Sequence, residues 1–228
     1  MNKPNIELQP IEDRTLRAQV KRQLLDQILA GHLRPGAKLI ETALSAQLRV
    51  SRAPLREALR ELVDQGILTS EPYKGFRVRS VSERDLRELY SMRTGLEKFA
   101  FTLVWQNRSA QSLADLDQRY DRLMAIRSNG EQAEAIEREI AFHAWVYETT
   151  ENRLLIAHWN RLAQLVRIYM SLHHNLHGFH GVFGEMTTAY RNLAAGDDLD
   201  QMLAHVDAHM MQGFETVVVA LPQPEGEQ

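Results

Sequence analysis

Cysteine is absent from the 228 residues. That excludes disulfides, thiolate zinc sites and cysteine nucleophiles, and it suits a reducing compartment such as the cytoplasm. No run of about 18 apolar residues occurs, so no membrane-spanning helix is expected. The opening Met1-Asn2-Lys3-Pro4-Asn5-Ile6-Glu7 lacks the apolar stretch of a secretory signal. Also missing are an HExxH helix and a glycine-rich phosphate loop, which removes two common grounds for reading an enzyme. An excess of positive charge is lacking too, the formal net charge being −3.

What is present is the balance of an ordinary globular protein, 44% hydrophobic and 25% charged. The charge is unevenly placed. Residues 1–80 carry 14 Lys and Arg against 9 Asp and Glu, and the remainder carries 13 against 21. A basic segment joined to an acidic one is expected when only the first meets nucleic-acid phosphate. Chance drift over eighty residues gives the same asymmetry, so the motifs must decide.

Residues 1–13 read as a loose tail. From Arg14 the spacing predicts a helix, with Val20, Leu24 and Ile28 four apart, ended by Gly31 and the turn Arg34-Pro35-Gly36. A short helix follows over 41–48. Ser51 suits the N-cap of a third helix from Arg52 to about Gln65, with Pro54 tolerated in its first turn. Residues 67–70 and 76–79 read as two strands about a Pro- and Gly-bearing turn. Three helices and a two-stranded hairpin make a winged helix. Beyond Ser80 the pattern predicts helices near 83–106, 110–128, 131–149, 153–173, 182–195 and 199–219, then a disordered tail. The fold class is therefore mainly α: a winged helix-turn-helix over 10–80 and an all-helical bundle over 81–221.

The third helix separates into three stripes. Leu55, Leu59, Leu62 and Val63 form a core face, Arg52, Arg56 and Arg60 a basic face, and Glu57, Glu61 and Asp64 an acidic one. Two forked guanidiniums at a helix N-terminus suit the major groove, where arginine pairs with the O6 and N7 of guanine. A solvated helix with mixed charge gives the same stripes. In the next helix Leu86, Leu89, Tyr90, Leu96, Ala100 and Leu103 mark an apolar face, with Arg93 on or beside it and Glu97 one turn on. Arg93 is either the partner of Glu97 or a clamp for a ligand carboxylate.

The strings Leu29-Ala30-Gly31-His32-Leu33-Arg34-Pro35-Gly36, Val50-Ser51-Arg52-Ala53-Pro54-Leu55-Arg56-Glu57-Ala58-Leu59, Gly66-Ile67-Leu68 and Lys74-Gly75-Phe76-Arg77-Val78 closely resemble the winged helix of the GntR family. The resemblance, over about 14–80, implies a regulator, usually a repressor, whose dimer binds a short palindromic operator in double-stranded DNA. It carries DNA contact to Thr42, Arg49, Ser51, Arg52, Ala53, Arg56 and Lys74, and close backbone approach to the minor groove to Gly75. Two positions depart from the pattern. Arg49 stands where glycine is usual and bears strain if the turn needs a positive φ, and Thr42 stands where some relatives have arginine.

Arg93-Thr94-Gly95-Leu96-Glu97, Phe142-His143 with Asn152-Arg153-Leu154, and Ala195-Gly196-Asp197 with His209 resemble the FCD effector domain of the FadR subfamily. This resemblance implies a six- or seven-helix bundle enclosing a pocket for a small organic acid, often with a divalent metal ion. Effector contact falls on Arg93, Glu139, His143 and His209. The metal set, for zinc, nickel or manganese, falls on Glu139, His143 and His209, with Met186 or Thr187 at the usual place of a further histidine and His205 or a water as substitute. Glu139 with His143, and His205 with His209, are each four apart on one helix. His173, His174, His177 and His180 read as solvated loop residues. Two alternatives stay open: a metal-dependent enzyme, and a DNA binder without an effector.

Overall fold

The computed structural model describes residues 16–71, 73–129, 132–177, 183–219 and 221. The two expected tails and His180 lie outside the described residues, as do the side chains of His173, His174 and His177.

The first helix, α1 (Leu16–Leu29), buries Val20, Leu24 and Ile28. Its apolar stripe packs on α3 (Arg52–Asp64), whose Leu55, Ala58, Leu59 and Leu62 are buried, with α2 (Glu41–Leu48) between them in the chain. The sheet has one strand more than the hairpin expected. β1 (Lys38–Leu39) pairs with β3 (Gly75–Val78), which also pairs with β2 (Leu68–Glu71), giving the antiparallel order β1-β3-β2. Leu39 lies opposite Phe76 and Leu68 opposite Val78, all four buried. Two residues are too few to display a period of two, which is why sequence pattern missed β1.

The turn between α2 and α3 has the geometry that the glycine-to-arginine departure raised. Arg49 caps α2 with φ 52° and ψ 41°, and the N–H groups of Arg49 and Val50 donate to Ala46 and Ser45 carbonyls at 3.3 and 3.2 Å. A side chain in this left-handed conformation crowds its own carbonyl. Arg49→Gly is therefore expected to raise stability by about 0.5–1 kcal/mol, read as a higher denaturation midpoint. An unchanged or lower midpoint would place the strain elsewhere.

Past the sheet, six helices follow among the described residues: α4 (Glu83–Val104), α5 (Ala110–Asn129), α6 (Gln132–Thr149), α7 (Arg153–His177), α8 (Phe183–Ala194) and α9 (Leu199–Val218). Ser82 opens α4 with a reciprocal cap. Its hydroxyl accepts from the Asp85 N–H at 3.1 Å, and the Asp85 carboxylate accepts from the Ser82 N–H at 3.0 Å. α7 runs past its expected end because the residues from His173 to His177 include neither glycine nor proline. α4 packs against α6, α7 and α9, so its inward side chains meet those of three neighbours.

The face α4 buries is Leu86, Leu89, Tyr90, Arg93, Glu97, Ala100, Phe101 and Val104. Leu103, expected on that face, is exposed instead. It joins Met92 and Phe99, also exposed, at positions within about 40° of one another on the helix, so α4 has a second apolar stripe facing outward.

The winged helix rests on α7. Ser171 Oγ donates to the Leu29 carbonyl at the end of α1. Gly66, after α3, has φ +75°, and a Cβ there would lie 3.3 Å from the Leu165 side chain. Glycine satisfies the backbone and the close approach together.

Candidate DNA interface and buried acid–histidine pocket

On α3, burial of the leucine face leaves Arg52, Ala53, Arg56 and Arg60 exposed. Thr42 and Arg49 are exposed nearby. Ser51 holds the N-cap position with extended backbone (φ −69°, ψ 164°), but its side chain makes no capping bond. The cap expected from its hydroxyl is not formed. Arg56 is held from α2: Nε donates to Glu41 Oε2 at 2.5 Å and Nη2 to Glu41 Oε1 at 3.4 Å. Arg52 makes no such ion pair among the described residues.

The wing closes the other side of a groove lined by Glu41, Arg56, Arg60, Tyr73 and Gly75. Lys74 Nζ meets Glu71 Oε2 at 2.6 Å. Gly75 has φ +82° with nothing within 4 Å of where a Cβ would be, so its requirement is conformational rather than steric. Sequence reasoning missed two members of this surface. Glu41 lies 15 residues from Arg56, a spacing with no local signature. Tyr73 stands fully exposed at the wing tip in a left-handed conformation (φ 65°).

The second site lies inside the bundle. α6 supplies Glu139 and His143 from one face, α9 supplies His209, and α4 supplies Arg93 and Glu97. His143 Nδ1 lies 2.9 Å from Glu97 Oε1, while its Nε2 lies 3.1 Å from His209 Nε2 and 3.4 Å from Glu139 Oε1. Glu97, fully buried, also accepts from Tyr190 Oη at 2.7 Å and Tyr147 Oη at 3.2 Å. The local Arg93–Glu97 pair offered by sequence spacing is thus replaced by a carboxylate turned toward α6 and α8. Arg93 is buried, with its Nε lacking a hydrogen-bond partner among the described residues. Its guanidinium carbon lies 5.4 Å from the Tyr90 ring centre and 5.8 Å from that of Trp159.

Proton positions follow from these contacts. Burial pushes His143 down, but the charges and hydrogen bonds of Glu97 and Glu139 outweigh it and raise His143 above the ordinary histidine value. Burial pushes Glu97 up, and His143, Arg93 and the tyrosine bring it net below the ordinary carboxylate value. His209, desolvated and beside His143, is pushed down to about 3 and is neutral. A protonated His143 donates Nδ1–H to Glu97 and directs Nε2–H at His209 and Glu139. Without that proton, two nitrogen lone pairs and a carboxylate oxygen converge.

Such a donor set fits a divalent ion. The ligand atoms of Glu139, His143 and His209 all lie within 4.8 Å of one another. Zinc bonds of about 2.0–2.2 Å place neighbouring donors at about the separations seen here. Glu97 stands behind His143 as the outer carboxylate that fixes the ring and its tautomer. His205 stands apart, its Nε2 lying 3.0 Å from the Met186 carbonyl. Of the two residues at the position where histidine is usual, Thr187 is buried and Met186 is partly so; neither belongs to the group. Three protein donors leave a coordination position for water or ligand.

Residues 16–78 match the family model for bacterial regulatory proteins of the gntR family, and residues 88–211 match that for the FCD domain. The Nta operon transcriptional regulator of Aminobacter aminovorans is 30% identical over 189 residues, 82% of this chain and 87% of that protein. The regulator McbR of Escherichia coli is 33% identical over 141 residues, 62% of this chain and 64% of its own. A gluconate operon repressor of Bacillus licheniformis is 25% identical over 154 residues, 68% of this chain and 63% of its own. The solved structure of E. coli McbR/YncC superposes with a TM-score of 0.72 at 25% identity, covering 89% of this chain and 97% of the other. No helix of the described residues is long and apolar enough to cross a membrane. The chain belongs to the GntR family: it is a DNA-binding transcriptional regulator of the FadR-like subfamily with an FCD domain, and not an enzyme.

Proposed function

We propose that the chain is a repressor that binds a palindromic operator as a homodimer and answers to a small organic acid held in its helical part. The division near residue 80 into a DNA-reading domain and a sensing domain belongs to this reading. One observation carries it: a buried arginine with an unpartnered Nε lines the same small cavity as a carboxylate–histidine group. An unpaired buried donor costs about 1–3 kcal/mol, and a bound carboxylate offsets that cost. Relatives named as repressors support the sign of regulation, the gluconate operon repressor among them. The outward stripe Met92, Phe99 and Leu103 on α4 supports a second copy, because a contiguous exposed apolar surface favours association.

On this reading the DNA contacts are those of α2, α3 and the wing: Thr42, Arg49, Ser51, Arg52, Ala53, Arg56, Lys74 and Gly75. The deciding experiment selects bound genomic fragments and repeats the gel shift with a panel of carboxylates. Release of the fragment by one acid supports the sensor. Indifference to every acid in the panel, with DNA binding intact, overturns the effector half and leaves a constitutive binder.

A zinc, nickel or manganese ion would be held by Glu139, His143 and His209, and would supply a positive charge and an open position for an acid's oxygen. Its binding must displace the proton of His143. Because that group titrates above the ordinary histidine value, it keeps its proton to a higher pH than a free histidine would and releases it as pH rises further. Apparent zinc affinity should therefore rise with pH through and above neutrality, by up to about tenfold per unit. A competition titration with a chelating dye measures it. A flat profile removes His143 from the ligand set.

A further inference from the structure

We infer that Glu41 is a specificity determinant for DNA: it holds Arg56 as a reader of guanine and keeps it from serving as a general cation for phosphate. The inference rests on the DNA contacts proposed above and deepens them by a residue that they leave out.

The groove between α3 and the wing carries more acid than base, although the partner it faces is a polyanion. Arg56 and Arg60 line it, against Glu41, Asp64 and Glu71. Lys74, at the wing, is itself paired with Glu71 at 2.6 Å. Carboxylates in such a place lower affinity for every duplex, because DNA presents phosphate whatever its sequence. Discrimination is what they return, provided they weaken binding to unrelated DNA more than binding to the operator.

Glu41 has the geometry for that difference. A guanidinium presents two forked edges, one from Nε with one Nη and one from both Nη atoms. Glu41 takes the first edge, at 2.5 Å from Nε and 3.4 Å from Nη2. Nη1 has no hydrogen bond among the described residues, so the second edge is open. The Glu41 side chain is 22% exposed and that of Arg56 55%. The carboxylate therefore sits behind, and the guanidinium stands toward solvent.

Guanine O6 and N7 match the open edge and bring no net charge. The carboxylate stays in place and fixes the plane of the fork. A phosphate brings a full negative charge to a cation that Glu41 has already neutralised, and much of its attraction is cancelled. An exposed ion pair is weak, so the filter is modest, about the worth of one phosphate contact. Glu41 is also the first residue of α2, where a carboxylate favours the helix start. That role alone predicts a different outcome in the test.

The test is a gel shift with the full chain across a salt series. It uses the operator fragment recovered by the selection above and a scrambled duplex of the same length and composition. Glu41→Gln keeps the side-chain shape and removes its charge. It should bind the scrambled duplex about fivefold tighter at about 0.15 M salt, the gain from one more neutralised phosphate, with a salt slope steeper by about 0.9. Operator affinity should change by less than about twofold, so the ratio of the two affinities falls by roughly the same fivefold. Glu41→Asp keeps the charge at a shorter reach and should fall between. Glu71→Gln removes another carboxylate of the groove, but its partner is a lysine, which has no fork to offer a base. It should tighten both duplexes alike. A ratio that Glu41→Gln leaves unchanged or raises overturns the inference, and so does an equal fall from Glu71→Gln. Weaker binding of the scrambled duplex, with a lower melting point, assigns Glu41 to the start of α2 and overturns it too. Arg56→Ala keeps the contact itself separate. If it weakens operator binding, Arg56 stays at the DNA whatever Glu41→Gln does. If neither variant alters either duplex, the contact and the inference fall together.

Discussion

Glu97→Ala should remove about 3–5 kcal/mol of folding stability, the range for breaking a buried ionic partnership from one side. The carboxylate is fully buried and receives three donors: His143 Nδ1, Tyr190 Oη and Tyr147 Oη. Alanine leaves all three in the bundle interior without an acceptor. Each orphaned group costs about 1–3 kcal/mol before relaxation, so the expected total allows for some rearrangement. For a chain of this length the loss should appear as a fall in Tm of roughly 10 °C. Glu97→Gln keeps the shape and one acceptor but turns an amide N–H2 toward a donor, and it should fall between. Loss of less than about 1 kcal/mol in Glu97→Ala would mean that the three donors find other acceptors. The same variant should weaken metal binding by about 10–100-fold, as loss of an outer-shell carboxylate commonly does. Glu97→Gln separates the two effects, because it retains more of the fold than of the charge.

Arg52→Ala should weaken operator binding by about 1–3 kcal/mol, provided the guanidinium forks onto a base. Arg56→Ala should cost less. In the free protein Arg56 already holds Glu41 through two hydrogen bonds, and what DNA offers it must exceed what that carboxylate gives. Arg52 has no such prior engagement among the described residues. The ranking is testable by gel shift at matched salt on operator and on unrelated DNA. A base contact lowers the ratio of the two affinities, whereas a phosphate contact lowers both. Lys74→Ala, at the wing, should lower both and flatten the salt slope by about 0.9. Equal operator affinity for Arg52→Ala and the unsubstituted chain, with the fold intact, would remove Arg52 from the interface.

Much of the fold was legible in the sequence, and the reasons are local. Val20, Leu24 and Ile28, and the leucines of α3, repeat at the period their helices impose, and all are buried. The six helices beyond Ser80 begin and end close to their expected bounds, because Ser82 opens the first and Asn152 and Gly196 mark breaks between later ones. Burial of His143 and His209 beside Glu139 follows the i, i+4 spacing that places Glu139 and His143 on one face. Local spacing stops at the face, however. It did not say which partner Glu97 would choose, since His143, Tyr147 and Tyr190 come from helices 46 to 93 residues away. Nor did it reveal the Glu41–Arg56 contact or β1. Leu103 was placed inward because leucine usually is; only the packing of α4 shows it turned outward.

α7 has a consequence for anyone building hybrid regulators from this family. Trp159, Val166 and Met170 look into the pocket, while Leu165 abuts Gly66 and Ser171 holds the end of α1. The helix is one rod of 25 residues, so the seat of the DNA-reading part and the wall of the pocket are cut from the same piece. A chimera joined at residue 80, with a foreign winged helix, would set an unrelated surface on Leu165 and Ser171. Compatibility at that seat, rather than at the linker, should decide whether a transplanted head still obeys its new sensor.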